Sequence, residues 1–101
     1  MDTNELYEHG RARFEHAAAR RLLREKYQAK LIFAHAGGMW QAGPQLISVL
    51  QACRCEEAVI EDLYATPVEI KVADLLALTH ARWQEQMTAW LIEHRAINNQ
   101  R

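Results

Sequence analysis

One pattern occurs twice in the middle of the chain, and it restricts the possible folds more than any other feature. Residues 31–36 are mostly apolar, a Gly-Gly pair follows at 37–38, and residues 39–42 form a second short run. Adjacent glycines between two such runs favour a two-residue hairpin turn, because the primed turns need positive φ. Residues 44–52 begin with a proline, which the first turn of a helix accepts without losing a hydrogen bond. We therefore predict a β-hairpin followed by a helix.

The same order returns about 28 residues later. Residues 58–63 are the third strand candidate, residues 64–67 contain a Thr-Pro turn, and residues 68–72 alternate between apolar and charged side chains. Strict alternation is typical of a strand with one buried face. The residues predicted to face inward are Val68, Ile70 and Val72.

Both ends of the chain predict long helices. One covers residues 3–30, and the other has Asp74 in its first turn and runs to about residue 96. In the first helix the apolar side chains near one face are Tyr7, Phe14, Ala18 and Leu22, with Leu23 and Tyr27 beside them. Residues 1–101 are thus predicted to form a single α+β domain of order α-ββα-ββα, in which four strands pair into one antiparallel sheet packed by helices.

The composition is typical of a soluble globular protein. Of the 101 residues, 50% are apolar and 25% are charged, which suits one domain and argues against disorder. The longest apolar runs are far shorter than a membrane span, and the polar residues 2–5 do not resemble a signal peptide. Cys53 and Cys55 are too close in sequence for an ordinary disulfide. We therefore expect a cytoplasmic protein.

The sequence contains no recognisable catalytic motif: a nucleophile elbow, a phosphate-binding loop and a dinucleotide fingerprint are all missing. His80 and His94 are separated by about 20 Å along one helix, and His9 and His16 are also too far apart to share a metal. The Cys-Arg-Cys segment at residues 53–55 lacks the spacing of a zinc site and has no second pair. We expect no enzymatic activity, no cofactor, no metal and no small-molecule substrate.

The last helix carries the clearest functional signal. Two sets of residues repeat there every seven positions: Leu76, Trp83, Trp90 and Ile97, and Ala73, His80, Met87 and His94. Such a stripe is either the core face of the helix or a seam for a partner, and the pattern alone does not decide between them. Because this helix is long for so small a domain, its second half is the better candidate for contact with another protein.

The aromatic residue beside the first turn has two interpretations as well. Trp40 either covers one end of the core or is an exposed anchor for a partner. The residues predicted to form a partner interface are Trp40, Trp83, Met87, Trp90, Leu91 and His94. A protein partner or self-association is the corresponding expectation.

Positive charge is concentrated near the start of the chain. Residues 11–30 hold seven basic and two acidic side chains, a net charge of +5, so the remainder carries −6. This segment is either a solvated helix face or a contact surface for nucleic acid, with candidate contacts Arg20, Arg21, Arg24 and Lys26. The overall isoelectric point of about 6.5 favours the solvated face.

Three blocks of the sequence resemble small proteins of uncharacterised function that tailed bacteriophages encode. The blocks are LIFAHAGGMWQAGPQLISVL, VIEDLYATPVEIK and ARWQEQMTAWL, and together they cover much of the chain. The resemblance implies a virion component or an assembly factor, located in the host cytoplasm or in the particle. It assigns no functional residues.

Overall fold

The hairpins and the short helix lie between two long helices. The structure is a computed structural model that describes residues 3–99, apart from the side chains of Asn4 and Tyr7. In chain order the elements are α1 (Thr3–Lys30), β1 (Ile32–His35), β2 (Gly38–Gln41), α2 (Pro44–Ala52), β3 (Glu57–Glu61), β4 (Pro67–Lys71) and α3 (Val72–Asn98). The predicted α+β class and the order of the elements are confirmed. The predicted place of Tyr7 in an apolar stripe lies outside the described side chains.

The prediction of one four-stranded sheet is wrong, because β1–β2 and β3–β4 form two separate antiparallel pairs. Asp62 follows β3 directly and turns the chain away, since its carboxylate accepts the backbone N–H groups of Tyr64 and Thr66 at 2.9 Å. These bonds stabilise the turn that joins β3 to β4. A single backbone hydrogen bond joins the two hairpins, from the N–H of Leu63 to the carbonyl of Met39 (2.8 Å).

The first turn lies one residue earlier than predicted. Its central residues are Ala36 and Gly37, which both have positive φ (52° and 82°), as a primed hairpin turn requires. Gly38 instead begins β2 and pairs with His35. A Cβ atom on Gly38 would lie 3.0 Å from Cγ2 of Val68, so this glycine lets the two hairpins approach each other. Gly38, the second glycine of the pair, is therefore needed for the close packing of the two hairpins and not for the turn.

Asp62 links the hairpins through its side chain as well. The backbone N–H of Met39 donates to its Oδ2 at 3.0 Å, in addition to the two bonds within its own turn. The hydrogen bond from Met39, followed by that from Thr66, holds the pKa of Asp62 below its ordinary value. The folded structure therefore favours the ionised form of the Asp62 carboxylate.

This arrangement predicts how acid destabilises the protein. The pKa of Asp62 is lower in the folded than in the unfolded chain, so its contribution is present above the unfolded pKa and is lost as the pH falls through the folded pKa. We expect Asp62→Asn to lower the melting temperature at neutral pH and to flatten its decline in acid, with Glu61→Gln as the neighbouring control. Thermal unfolding from pH 7 to pH 2 measures both. Equal acid sensitivity of Asp62→Asn and the parent chain would contradict the assignment.

The core lies where the hairpins meet α2 and the first half of α3. Its fully buried large side chains include those of Trp40, Leu50 and Leu75, and the inward positions of β4 are buried as predicted. The indole N–H of Trp40 donates to the carbonyl of His35 at 2.9 Å, which satisfies its polar atom inside the core. This core joins the two hairpins to α2 and α3.

The molecule as a whole is a rod. Its extents are 66 × 24 × 20 Å and its radius of gyration is 19.4 Å, against about 13 Å for a compact chain of this length. Its accessible surface is 7422 Å², against about 5,900 Å² for a typical monomer of this mass. Part of this exposed surface lies on α1, whose described side chains between Thr3 and Glu15 are all exposed. We call this segment, Thr3–Glu15, the arm.

Candidate functional site

The heptad stripe of α3 divides into two parts. In the first part Leu76, Trp83 and Met87 pack against the core cluster, so here the stripe is the core face of the helix. In the second part Trp90 and His94 are only half-buried, and their neighbour Leu91 is 46% exposed. The stripe is therefore the core face of α3 as far as Met87, and its second half lies beyond the core cluster.

The exposed part of the stripe belongs to a groove along α3. Nearer the core its apolar lining includes Leu46, Trp83 and Met87. Met87 also lines a second, almost wholly apolar depression with Trp90, Leu91 and His94. The two depressions adjoin at Met87, and their α3 lining from Trp83 to His94 covers about 17 Å of the helix axis. We call these two adjoining depressions the α3 groove.

Trp90 is the largest side chain in the outer part of the α3 groove. Its ring meets that of His94 edge to face, with 6.5 Å between the ring centroids and 75° between the planes. Its indole Nε1 is buried, yet it meets no hydrogen-bond acceptor among residues 3–99. Most buried indole N–H groups have an acceptor, because an unsatisfied donor destabilises the fold.

Trp40 lies at the bottom of the depression nearer the core but offers almost no surface to a partner. Its side chain is 1% exposed and lies in the core, so of the two interpretations the structure supports the one in which it covers the core. Of the residues predicted to contact a partner, Trp90, Leu91 and His94 lie beyond the core and are half-buried or exposed, whereas Trp83 and Met87 pack against the core cluster.

A polar cluster fixes α1 against α3 next to the groove. The Nζ of Lys26 lies 3.0 Å and 3.3 Å from the two carboxylate oxygens of Glu93, and the hydroxyl of Tyr27 donates to the same carboxylate. These two hydrogen bonds, that of Tyr27 first, lower the pKa of Glu93, and the bond to Glu93 raises the pKa of Lys26. Lys26, predicted as a nucleic-acid contact, is exposed but forms an ion pair with Glu93 of the same chain.

The other three predicted basic contacts remain exposed. Arg20, Arg21 and Arg24 are on the surface of α1, and none of them forms an ion pair with a residue in the described part of the chain. By helix geometry Arg20 and Arg24 share a face with Arg13, whereas Arg21 points elsewhere. Arg13, Arg20 and Arg24 therefore lie in one row along α1.

A second exposed apolar surface, on α1, was not predicted from the sequence. The side of α1 that packs inward carries Leu23 and Tyr27, which are buried. Phe14 and Leu22, on the other side, are 72% and 62% exposed. The signal was present in the apolar stripe of α1, but the stripe alone did not show that Leu23 and Tyr27 would be the buried pair.

Other kinds of site receive no support from the geometry. Within residues 3–99 no group of three or more His, Cys, Asp or Glu side chains is placed to hold a metal ion. Both cysteines are free thiols, with Cys53 half-buried and Cys55 exposed. No helix of the described chain is long and apolar enough to cross a membrane. Comparison with protein-family models, with curated proteins and with solved structures finds no match to this chain.

Proposed function

We propose that the protein is a non-enzymatic interaction or structural subunit that binds another protein through the α3 groove. The observation that carries the proposal is the half-exposed apolar lining of this groove beyond the core, at Trp90 and Leu91. Trp and Met are among the residues enriched at protein interfaces. The groove fits one apolar face of a helical segment of about 11 residues.

The state of Trp90 supports the same proposal. The free chain leaves its indole N–H buried without an acceptor in the described residues. A carbonyl oxygen could reach this group only if the side chain of Trp90 changed its position on binding, and that change would remove an unfavourable feature of the unbound chain. The resemblance to small phage proteins extends the proposal to a subunit of a phage particle or of another multiprotein assembly.

Photo-crosslinking tests the proposal at single-residue resolution. A photoreactive amino acid at Leu91, in cells that naturally express the chain, is expected to capture one discrete protein that mass spectrometry identifies. The matched control is Ile92, which is also exposed but lies on the opposite face of α3. Equal capture at both positions, or none at Leu91, would contradict the proposed surface.

Replacing Trp90 tests how much this side chain contributes to the free energy of partner binding. Because a half-exposed tryptophan at an interface commonly accounts for about 2 kcal/mol or more of binding, Trp90→Ala is expected to weaken partner binding at least tenfold while the chain stays folded. Calorimetry with the captured partner and circular dichroism of the free variant measure the two effects. If Trp90→Ala unfolds the chain, the outer part of the groove is core and the surface assignment fails.

One observation favours a second candidate function. The exposed row of Arg13, Arg20 and Arg24 on α1 is suited to contact successive phosphates of a nucleic acid. Such binding would weaken steeply with salt, and Arg20→Glu with Arg24→Glu would abolish it. The absence of salt-dependent binding to DNA and RNA in a filter or fluorescence assay would remove this alternative.

A further inference from the structure

The outer face of α1, turned away from α3, carries a row of residues with symmetric spacing. The row consists of Arg11, Phe14, Ala18, Leu22 and Glu25. Successive members are three, four, four and three residues apart, so they lie on one face of the helix. Ala18 is half-buried, and the other four side chains are exposed. Arg11 donates a hydrogen bond to the exposed carboxylate of Glu15 one turn later, at 3.0 Å, an ion pair that stays on the surface. The single chain therefore presents an exposed amphipathic row on this face of α1.

The row is complementary to itself when two helices run in opposite directions. With a two-fold axis at Ala18, each Phe14 lies level with Leu22 of the second copy, and each Arg11 lies level with Glu25 of the second copy. Apolar residues then meet at the centre and opposite charges meet on either side. A parallel pair would instead bring Arg11 to Arg11 and Glu25 to Glu25, which is repulsive.

Other features of α1 agree with close antiparallel packing. Residues 17–19 are all alanine, and small side chains at a crossing point allow helix axes to approach to about 8 Å. The exposed arginines Arg13, Arg20 and Arg24 lie on the far side of the helix from the row, so the contact would not bring them together. The excess accessible surface of the single chain, about 1,500 Å², exceeds the roughly 800 Å² that each partner buries in a standard interface.

We propose that α1 is a homodimer interface, in which α1 of two copies packs antiparallel across a two-fold axis at Ala18. The arm of each copy then lies along residues 21–30 of the other copy and gains the packing that it lacks in the single chain. A helical segment of 13 residues is only marginally stable alone in water, so the dimer accounts for a long helical arm. This inference uses a different helix face from the α3 groove and does not depend on it.

Cysteine crosslinking tests the direction and register of the contact. In a background of Cys53→Ala and Cys55→Ala, Ala18→Cys is expected to form a disulfide between copies on mild oxidation, because the two positions meet at the axis. A mixture of Arg11→Cys and Glu25→Cys chains is expected to crosslink, whereas Arg11→Cys alone is not. The control Ala12→Cys is exposed on another face of α1 and is expected to stay uncrosslinked. Crosslinking of Arg11→Cys alone, or of Ala12→Cys as readily as Ala18→Cys, would overturn the proposal.

The strength of association gives an independent test. Phe14→Glu removes two apolar side chains from each dimer and is expected to raise the dimer dissociation constant on the order of 100-fold. Leu6→Glu, an equally polar change at an exposed residue of the arm outside the row, is expected to leave it within about threefold. Trp90→Ala is expected to leave the dimer intact, which separates this contact from the α3 groove. A monomeric parent chain, or a dimer that Phe14→Glu does not weaken, would overturn the proposal.

Discussion

Replacing Trp40 with alanine is expected to lower the free energy of unfolding by about 3–5 kcal/mol. The side chain is 1% exposed, it is part of the main core cluster, and its N–H is hydrogen-bonded to the carbonyl of His35. Truncation leaves a cavity in the core cluster and removes the part-buried hydrogen bond to the carbonyl of His35. Because small domains have a total stability of about 5–15 kcal/mol, the variant should be close to unfolded at room temperature.

Urea denaturation followed by circular dichroism measures this loss. Trp90→Ala serves as the comparison, since the same substitution at a half-exposed position is expected to cost much less. The contrast tests the assignment of the two tryptophans to core and surface. Similar losses for both variants would show that the distinction is wrong.

Replacing Gly38 with valine is expected to destabilise the fold by about 1–3 kcal/mol, the usual cost of overpacking a filled site. The added Cβ would lie 3.0 Å from Cγ2 of Val68, 3.1 Å from Cζ2 of Trp40 and 3.3 Å from Oδ2 of Asp62. The branched side chain would therefore push the two hairpins apart at their closest approach.

A double-mutant cycle identifies the contact responsible. Val68→Ala removes the nearest atom, so Gly38→Val combined with Val68→Ala should be more stable than the sum of the two single losses predicts. Thermal unfolding of the four variants measures the difference. Strict additivity would show that Gly38 is not the point where the hairpins meet.

The elements of the fold were predictable because their signals are local. Helical composition and strand alternation within about ten residues located α1, α2, α3 and both hairpins. The turn was misplaced by one residue because 37–38 are both glycine and either residue can adopt positive φ. Only the packing of Gly38 against Val68 of the other hairpin decides the register, and that contact joins residues 30 positions apart.

The failed prediction of one sheet has a similar origin. A strand-turn-strand pattern does not show whether the edge strands of two hairpins pair with each other to form one sheet. The outcome depends on tertiary packing between residues far apart in the chain. Asp62, for example, looks in the sequence like one member of an acidic pair at the end of a strand. In the structure its carboxylate accepts three backbone N–H groups, one of them from the other hairpin.

The candidate site was predictable in part. The seven-residue repeat located the α3 stripe, but a repeat has the same form in a core and at an interface. What divides the stripe is the extent of the core along α3, which includes Met87 but not Trp90. Similarly, the inner and outer faces of α1 are distinguished by the contact of Lys26 and Tyr27 with Glu93, on a helix about 66 residues later in the chain.

The central claim is the proposed homodimer, in which a second copy packs along α1 of this rod-shaped chain. Light scattering coupled to size-exclusion chromatography, at low and at high salt, tests it most directly. The account predicts a discrete species of twice the 11.7 kDa of one chain that survives high salt, because apolar contacts at Phe14 and Leu22 are not screened. A species of 11.7 kDa at both salt concentrations, up to the highest attainable protein concentration, would contradict it.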